Sequence, residues 1–329
     1  MNTASVRHLV GAALGITTLL AIFLVAFTWP VSESAPHDVP VAVVGPPEAA
    51  AALEQGTSTA LGEDSFALTE LGSREDAVRA IEDRDVYGAF VFGPDGAELL
   101  VAPSASPAVA ELLERVAEQA QAQGQPPVTV TDVAPLPTGD PLGGVFRSGA
   151  LPMVLGGIIT GAALWQRLRD RRLAVVGALT VSAIGGLVLG GLLQGWLDVL
   201  GGSYLANAGV IALGLAAVSL SVVGLASRLG LAGIGIGALT MVLLGNPLSG
   251  VASAPELLPE GWGALGQLLP PGALGSALRS TAYFDGAGAA VPLLVLTGWA
   301  LAGLALALLP RRARAVTAAV DQAPQPASV

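Results

Sequence analysis

The chain has no cysteine and no lysine. Without cysteine there are no disulfides, no thiolate metal sites and no cysteine nucleophile. Without lysine every basic residue is arginine, a bias expected of a GC-rich genome. It also removes the phosphate-binding lysine of a Walker A loop, so the chain carries no nucleotide site of that kind. Charge is scarce as well. Only 12% of residues are charged against 53% hydrophobic, and the mean hydropathy is +0.68. Soluble domains carry about twice that share of charge.

The apolar residues fall in blocks. Six stretches, at about Leu9–Trp29, Gly149–Trp165, Leu173–Trp196, Ala206–Ala226, Leu229–Gly245 and Ala290–Leu309, contain no Asp, Glu, Lys, Arg or His. A helix of about 20 residues crosses a hydrocarbon core roughly 30 Å thick. Backbone polar groups in lipid must be paired within the segment, which makes each stretch a helix. The expected architecture is an α-helical polytopic membrane protein with six transmembrane helices and a small extracytoplasmic α/β domain between helices one and two. Residues 1–30 form the first anchor, 31–148 the outer domain, and 149–310 a five-helix membrane domain with an external loop at 246–289. Residues 311–329 form a disordered cytoplasmic tail.

Arginine sets the orientation, since cytoplasmic connections are enriched in it. Arg7, then Arg167, Arg169, Arg171 and Arg172, then Arg228, then Arg311, Arg312 and Arg314 all fall on one side if every segment spans. That side is the cytoplasm, so both termini are cytoplasmic and 31–148 lies outside the cell membrane. By the same rule Ser104 and Ser253 face outside and Ser227 inside. Leu9–Trp29 exceeds the 7–15 residue core of a signal peptide and no clear A-x-A site follows, so it reads as a retained anchor. Gly11/Gly15, Gly157/Gly161, Gly186/Gly190, Gly191/Gly195 and Gly233/Gly237 have GxxxG spacing, which allows close helix approach in lipid and admits a homodimer. With 43 glycines in the chain, chance also produces such pairs.

Between the first two apolar stretches the pattern becomes that of a soluble fold. Strands are expected at Asp38–Val44, Phe66–Leu71, Val86–Phe92, Leu99–Ala102 and Val128–Val133, from β-branched and alternating runs. Helices are expected after Pro46-Pro47-Glu48 through Gln55, at Glu75–Arg84 behind a Ser73 cap, and at Pro107–Gln123, with turn chemistry at Pro94-Asp95-Gly96. The order β-α-β-α-β-β-α-β describes one small α/β domain, expected to fold by itself over Pro36–Pro141. It is acidic, which argues against nucleic acid as a partner. Glu82-Asp83-Asp85 lacks calcium-loop spacing and reads as solvated surface. His8 and His37 stand alone, without metal-ligand spacing. No cofactor is expected.

Several segments together resemble the phage-infection-protein-like membrane proteins (the YhgE/Pip group), which are similar to the permease subunits of type-2 ABC exporters. The resemblance is carried by Val39-Pro40-Val41-Ala42-Val43-Val44, by Val86-Tyr87-Gly88-Ala89-Phe90-Val91-Phe92, and by the return segment Pro135–Pro141. Leu268-Leu269-Pro270-Pro271-Gly272 followed by Leu278-Arg279-Ser280 resembles the external element before the last helix of such permeases. The resemblance implies a transmembrane subunit exporting a lipid, peptide or hydrophobic compound, with a separate ATP-binding subunit as partner. The chain departs from that pattern where an ATPase usually docks, because only Met1–His8 precede the first stretch and Gln166–Arg172 is short. A non-transporting receptor, scaffold or secretion accessory is the alternative. An enzyme is not expected, since no spanning stretch holds an acid, a His or a Cys.

Two groups of residues are therefore candidate sites. Arg167, Arg169, Arg171 and Arg172 are the densest basic cluster and a candidate contact for anionic lipid or a cytoplasmic partner. Trp262, Leu268, Leu269, Pro270, Pro271 and Arg279 mark 246–289 either as a re-entrant element or as an amphipathic external loop, with Trp262 suited to the headgroup region.

Overall fold

The computed structural model describes residues 3–94 and 96–310. The tail at 311–329, with Arg311, Arg312 and Arg314, and Asp95 of the expected turn lie outside the described residues.

Helix α1 (Thr3–Ser32) runs through the first apolar stretch and leads into the sheet domain. There β1 (Val39–Val44), α2 (Pro47–Leu61), β2 (Phe66–Leu71), α3 (Arg74–Glu82), β3 (Gly88–Gly93), β4 (Gly96–Val101), α4 (Pro107–Ala122) and β5 (Val128–Asp132) follow in the order expected from the sequence. The sheet order is β2-β1-β3-β4-β5. Strands β1, β2 and β3 are parallel, β4 turns back antiparallel to β3, and β5 is parallel to β4.

Period-two alternation sends neighbouring side chains to opposite faces of the sheet. Val39, Val41, Phe90, Leu99 and Val101 pack under α2 and α4, against Leu53, Val109 and Leu113. Ala42, Val44, Ala89 and Leu100 face α3 and meet Ala77 and Ile81. Fully buried leucines such as Leu113 each contribute on the order of 2 kcal/mol by leaving water. Helix starts are fixed locally. The Ser73 hydroxyl accepts from the Asp76 amide and donates to the Asp76 carboxylate, while the Ser106 hydroxyl accepts from the Val109 amide.

The helical bundle begins at α5 (Gly144–Arg167), earlier than the expected Gly149. The buried Asp140 carboxylate accepts from the amides of Val145 and Phe146 there and caps the helix. Helix α6 (Arg171–Gly190) continues as a π-helical stretch, Gly191–Trp196. Helix α7 (Tyr204–Leu229) ends at Gly230, whose φ of 66° breaks the chain direction. Helix α8 (Leu231–Ala238) continues as a second π-helical stretch, Leu239–Gly245. Short α9 (Trp262–Gln267), α10 (Pro270–Tyr283) and α11 (Ala290–Leu308) complete it.

Among the described residues five helices are long and apolar enough to cross a membrane: Ser5–Ser32, Gly144–Arg167, Arg171–Trp196, Tyr204–Leu229 and Ala290–Leu308. The expected sixth span falls short. At 1.5 Å per residue Leu231–Gly245 reaches only about 22 Å, against a hydrocarbon core of roughly 30 Å. Gly230, at φ 66°, removes the start of the stretch, and the helix ends at Gly245 as expected.

Helix α7 is the axis of the bundle, with 78% of its apolar window buried. Its neighbours reach it through glycine. A Cβ on Gly161 would stand 2.6 Å from the Ser219 carbonyl, on Gly186 2.3 Å from that of Ala208, and on Gly303 2.4 Å from the carbonyl carbon of Leu220. The GxxxG pairs Gly157/Gly161, Gly186/Gly190 and Gly233/Gly237 thus serve contacts inside one chain, all to α7. Gly11 and Gly15 on α1 meet nothing within 4 Å.

Residues 246–289 are not a plain external loop. Helix α10 is buried along most of its length between α7, α11 and α5. Nor does the hydrophobic core of the sheet domain end at residue 148. Ala254 and Leu257 belong to the cluster under α4, and Phe284 to the cluster under α3. The segment Pro36–Pro141 alone therefore lacks part of its own core.

Candidate functional site

The sheet domain meets the bundle through a set of polar contacts. The Ser106 hydroxyl, which caps α4, also donates to the Ser253 carbonyl at 2.7 Å. The Ser34 hydroxyl donates to the Leu257 carbonyl, and the His37 amide to the Glu256 carbonyl. Between these contacts lies a cavity of about 490 Å³. Ligand sites generally measure about 300–1,000 Å³.

Two arginines and a tyrosine–glutamate pair stand on its wall. Arg84 follows α3 with a φ of 65°. A non-glycine residue in that left-handed region costs about 1 kcal/mol, so its backbone is held there by its surroundings. Its guanidinium donates to the Ser276 carbonyl at 3.1 Å and to the Ser280 hydroxyl, and lies 5.4 Å from the Phe284 ring centroid. Arg279 is only 6% exposed. It donates to the Val251 carbonyl at 3.3 Å and sits 5.1 Å from the ring of Phe146. The Tyr87 hydroxyl donates to the Glu256 carboxylate at 2.8 Å. Gln267 bridges the Ser249 carbonyl and the Ser276 hydroxyl at the inner edge.

Among the described residues neither arginine forms an ion pair; the ion pairs there are Arg74–Glu98, Arg79–Asp76 and Arg115–Glu111, all in the sheet domain. Burial pushes Arg279 down to about 10, and the nearby positive charge of Arg84 pushes in the same direction. Burial also lowers Arg84, and burial followed by the Glu256 charge raises Tyr87. The site therefore brings together two guanidiniums and a phenol whose hydroxyl donates to Glu256. Neither guanidinium has a carboxylate at ion-pair distance, and the Glu256 charge offsets only part of the desolvation cost. Such groups concentrate at functional sites.

The residues singled out in the sequence divide between the two ends of the bundle. Arg279 lines the cavity. Trp262 packs edge-on against Trp29 of α1, with centroids 4.7 Å apart. Leu269 is buried as the residue capping α10, whose first turn contains Pro270 and Pro271. Leu268 is exposed, and its carbonyl accepts from the Trp299 indole. At the opposite end Arg167, Arg169 and Arg172 are exposed, while the half-buried Arg171 reaches the Ala307 carbonyl. Arg228 donates to the carbonyls of Leu306, Leu309 and Pro310 and caps α11. Sequence reasoning missed Arg84, Tyr87 and Glu256 as site residues. The available signal was Glu256, a single acid inside the apolar, proline-rich run Ala254–Pro259.

A second cavity, about 460 Å³, lies between α2 and α4 over Phe90 and Phe92, and no charged residue lines it among the described residues. Comparison with family models, curated proteins and solved structures gave no match to this chain.

Proposed function

We propose that the chain is a multi-pass cell-membrane protein of permease type, the transmembrane subunit of an ABC-type exporter driven by a separate ATPase. In this reading the arginine end and both termini are cytoplasmic, the sheet domain lies outside, and Leu231–Gly245 completes a sixth, short crossing. The observation that carries it is mechanical continuity. The sheet domain shares its core and its hydrogen bonds with 246–289, and α10 within that segment packs on α7 and α11. A tilt of the spanning helices would move the outer domain and reshape the cavity between them. The interiors of the long apolar helices hold no acid or histidine for an ion relay, so energy has to come from a partner.

One observation favours a different reading. The connection between α5 and α6 is only Leu168–Asp170, which leaves an ATPase little surface to grip. A receptor or secretion accessory needs no such surface. The two are separated by purifying the tagged full-length protein from its native membrane. An ATP-binding subunit that co-purifies supports the exporter; its absence under mild detergent favours the receptor or accessory. Orientation is tested with single cysteines at the exposed Thr59 and Gln166. An impermeant reagent on intact cells is expected to label the first and not the second.

A further inference from the structure

The cavity wall is sorted by charge. Arg279 is buried and Arg84 half-buried on its wall, with the Ser276 hydroxyl and the Gln267 amide beside them. Asp38, Asp85 and Glu260 line it as exposed residues, with the half-buried Glu256 also on the wall. A simple anion would suit the two guanidiniums and be opposed by four carboxylates. A simple cation would meet the reverse. A ligand carrying both signs satisfies both sides, its anionic end inward and its cationic end toward the exposed acids.

Two further features narrow the class. Carboxylates recognise a cation through its N–H donors, whereas quaternary ammonium is held by several aromatic faces. Among the described residues the only rings on this wall are Tyr87, whose hydroxyl is committed to Glu256, and the imidazole of His37, too few for an aromatic cage. The cation is therefore an ammonium with N–H groups. The helices that border the cavity also present apolar side chains outward. Leu265 on α9 and Leu268 just after it are 51% and 59% exposed, and on α11 Val291 and Leu294 are 67% and 71% exposed. Trp262, at the start of α9, has the amphipathic character of a residue at the membrane surface.

We propose that this cavity binds the headgroup of a membrane lipid bearing a phosphate and a primary amine. The phosphate sits on Arg279 and Arg84, the ammonium on Glu256 and the neighbouring exposed acids, and the acyl chains lie along α9 and α11. Guanidinium is suited to the inner position because its fork of donors matches phosphate oxygens. The proposal rests on the reading of the long apolar helices as membrane spans, but not on the existence of an ATPase.

The test uses the full chain, reconstituted and then examined by native mass spectrometry in detergent. Dioleoyl phosphatidylethanolamine, phosphatidylcholine and phosphatidylglycerol are titrated separately, and glycerophosphoethanolamine competes as the soluble source of the same headgroup. The expected result is at least tenfold preference for the ethanolamine lipid over both others, with little competition by the soluble headgroup. Arg279→Met is expected to lower that occupancy tenfold or more. Glu256→Gln, which keeps the shape of the side chain, is expected to erase the preference over phosphatidylglycerol, and it decides the matter if Arg279→Met fails to fold. Equal retention of the choline lipid, or unchanged selectivity in both variants, overturns the proposal. So does full displacement by the soluble headgroup, which would make the ligand a soluble zwitterion. A chain that does not enter vesicles at all refutes the membrane reading, whereas one that enters and shows no preference refutes only the headgroup site.

Discussion

Arginine stands at both ends of the bundle in opposite surroundings. At one end Arg167, Arg169 and Arg172 are exposed, and Arg171 and Arg228 reach the last carbonyls of α11. Each charge there is solvated or matched to the negative end of a helix dipole. At the other end Arg84 and Arg279 are drawn beneath the sheet domain, where carbonyls, a hydroxyl and aromatic rings replace water but no carboxylate pairs with them. The first arrangement costs the fold little. The second carries a desolvation cost, which lowers the pKa of both groups. The same residue type is thus exposed or helix-capping in one place and set on a cavity wall in the other.

The contrast can be probed from its most disruptive change downward. Phe284 is buried against α3 and carries the Arg84 guanidinium, so Phe284→Ala is expected to cost about 3 kcal/mol or more, read as a fall in the thermal midpoint of the purified chain. Tyr87→Phe removes the donor to the Glu256 carboxylate and is expected to cost about 1–2 kcal/mol, measured the same way. At the far end Arg228→Gln loses the cap on α11. A cost of about 1 kcal/mol is expected, with faster amide exchange confined to the last turn of that helix. Arg169→Gln with Arg172→Gln changes two exposed side chains, and the midpoint is expected to move by less than about 0.5 kcal/mol equivalent. A large loss there would break the distinction between the two ends.

Much of the fold was legible in the chain. The strands of the sheet domain follow alternating and β-branched runs, and Ser73 caps α3 as its spacing implies. What escaped was tertiary. Leu229–Gly245 reads as one apolar run, but Gly230 at φ 66° divides it and leaves a helix too short for an ordinary span. The GxxxG pairs could not be told from chance until α7 was seen to gather them. Arg279 reads as part of a re-entrant element or an amphipathic external loop. Ala273, Leu274, Ala277 and Leu278 around it are spaced as one buried helical face, which is the sign that it goes inward. Ser104 and Ser227 similarly read as accessible and are both buried. The cavity itself joins Arg84 to Arg279 across nearly two hundred residues, a proximity that no local pattern encodes.

If Arg279 is kept for binding and not for folding, the thermal midpoint of full-length Arg279→Met, without added lipid and beside the unmodified protein and Phe284→Ala, shows it. A midpoint equal to that of the unmodified protein within about 2 °C, or higher, is expected, since removal of a buried charge that forms no ion pair offsets the lost contacts with Val251 and Phe146. A fall as large as that of Phe284→Ala would contradict it and make Arg279 a structural clamp between the sheet domain and the bundle.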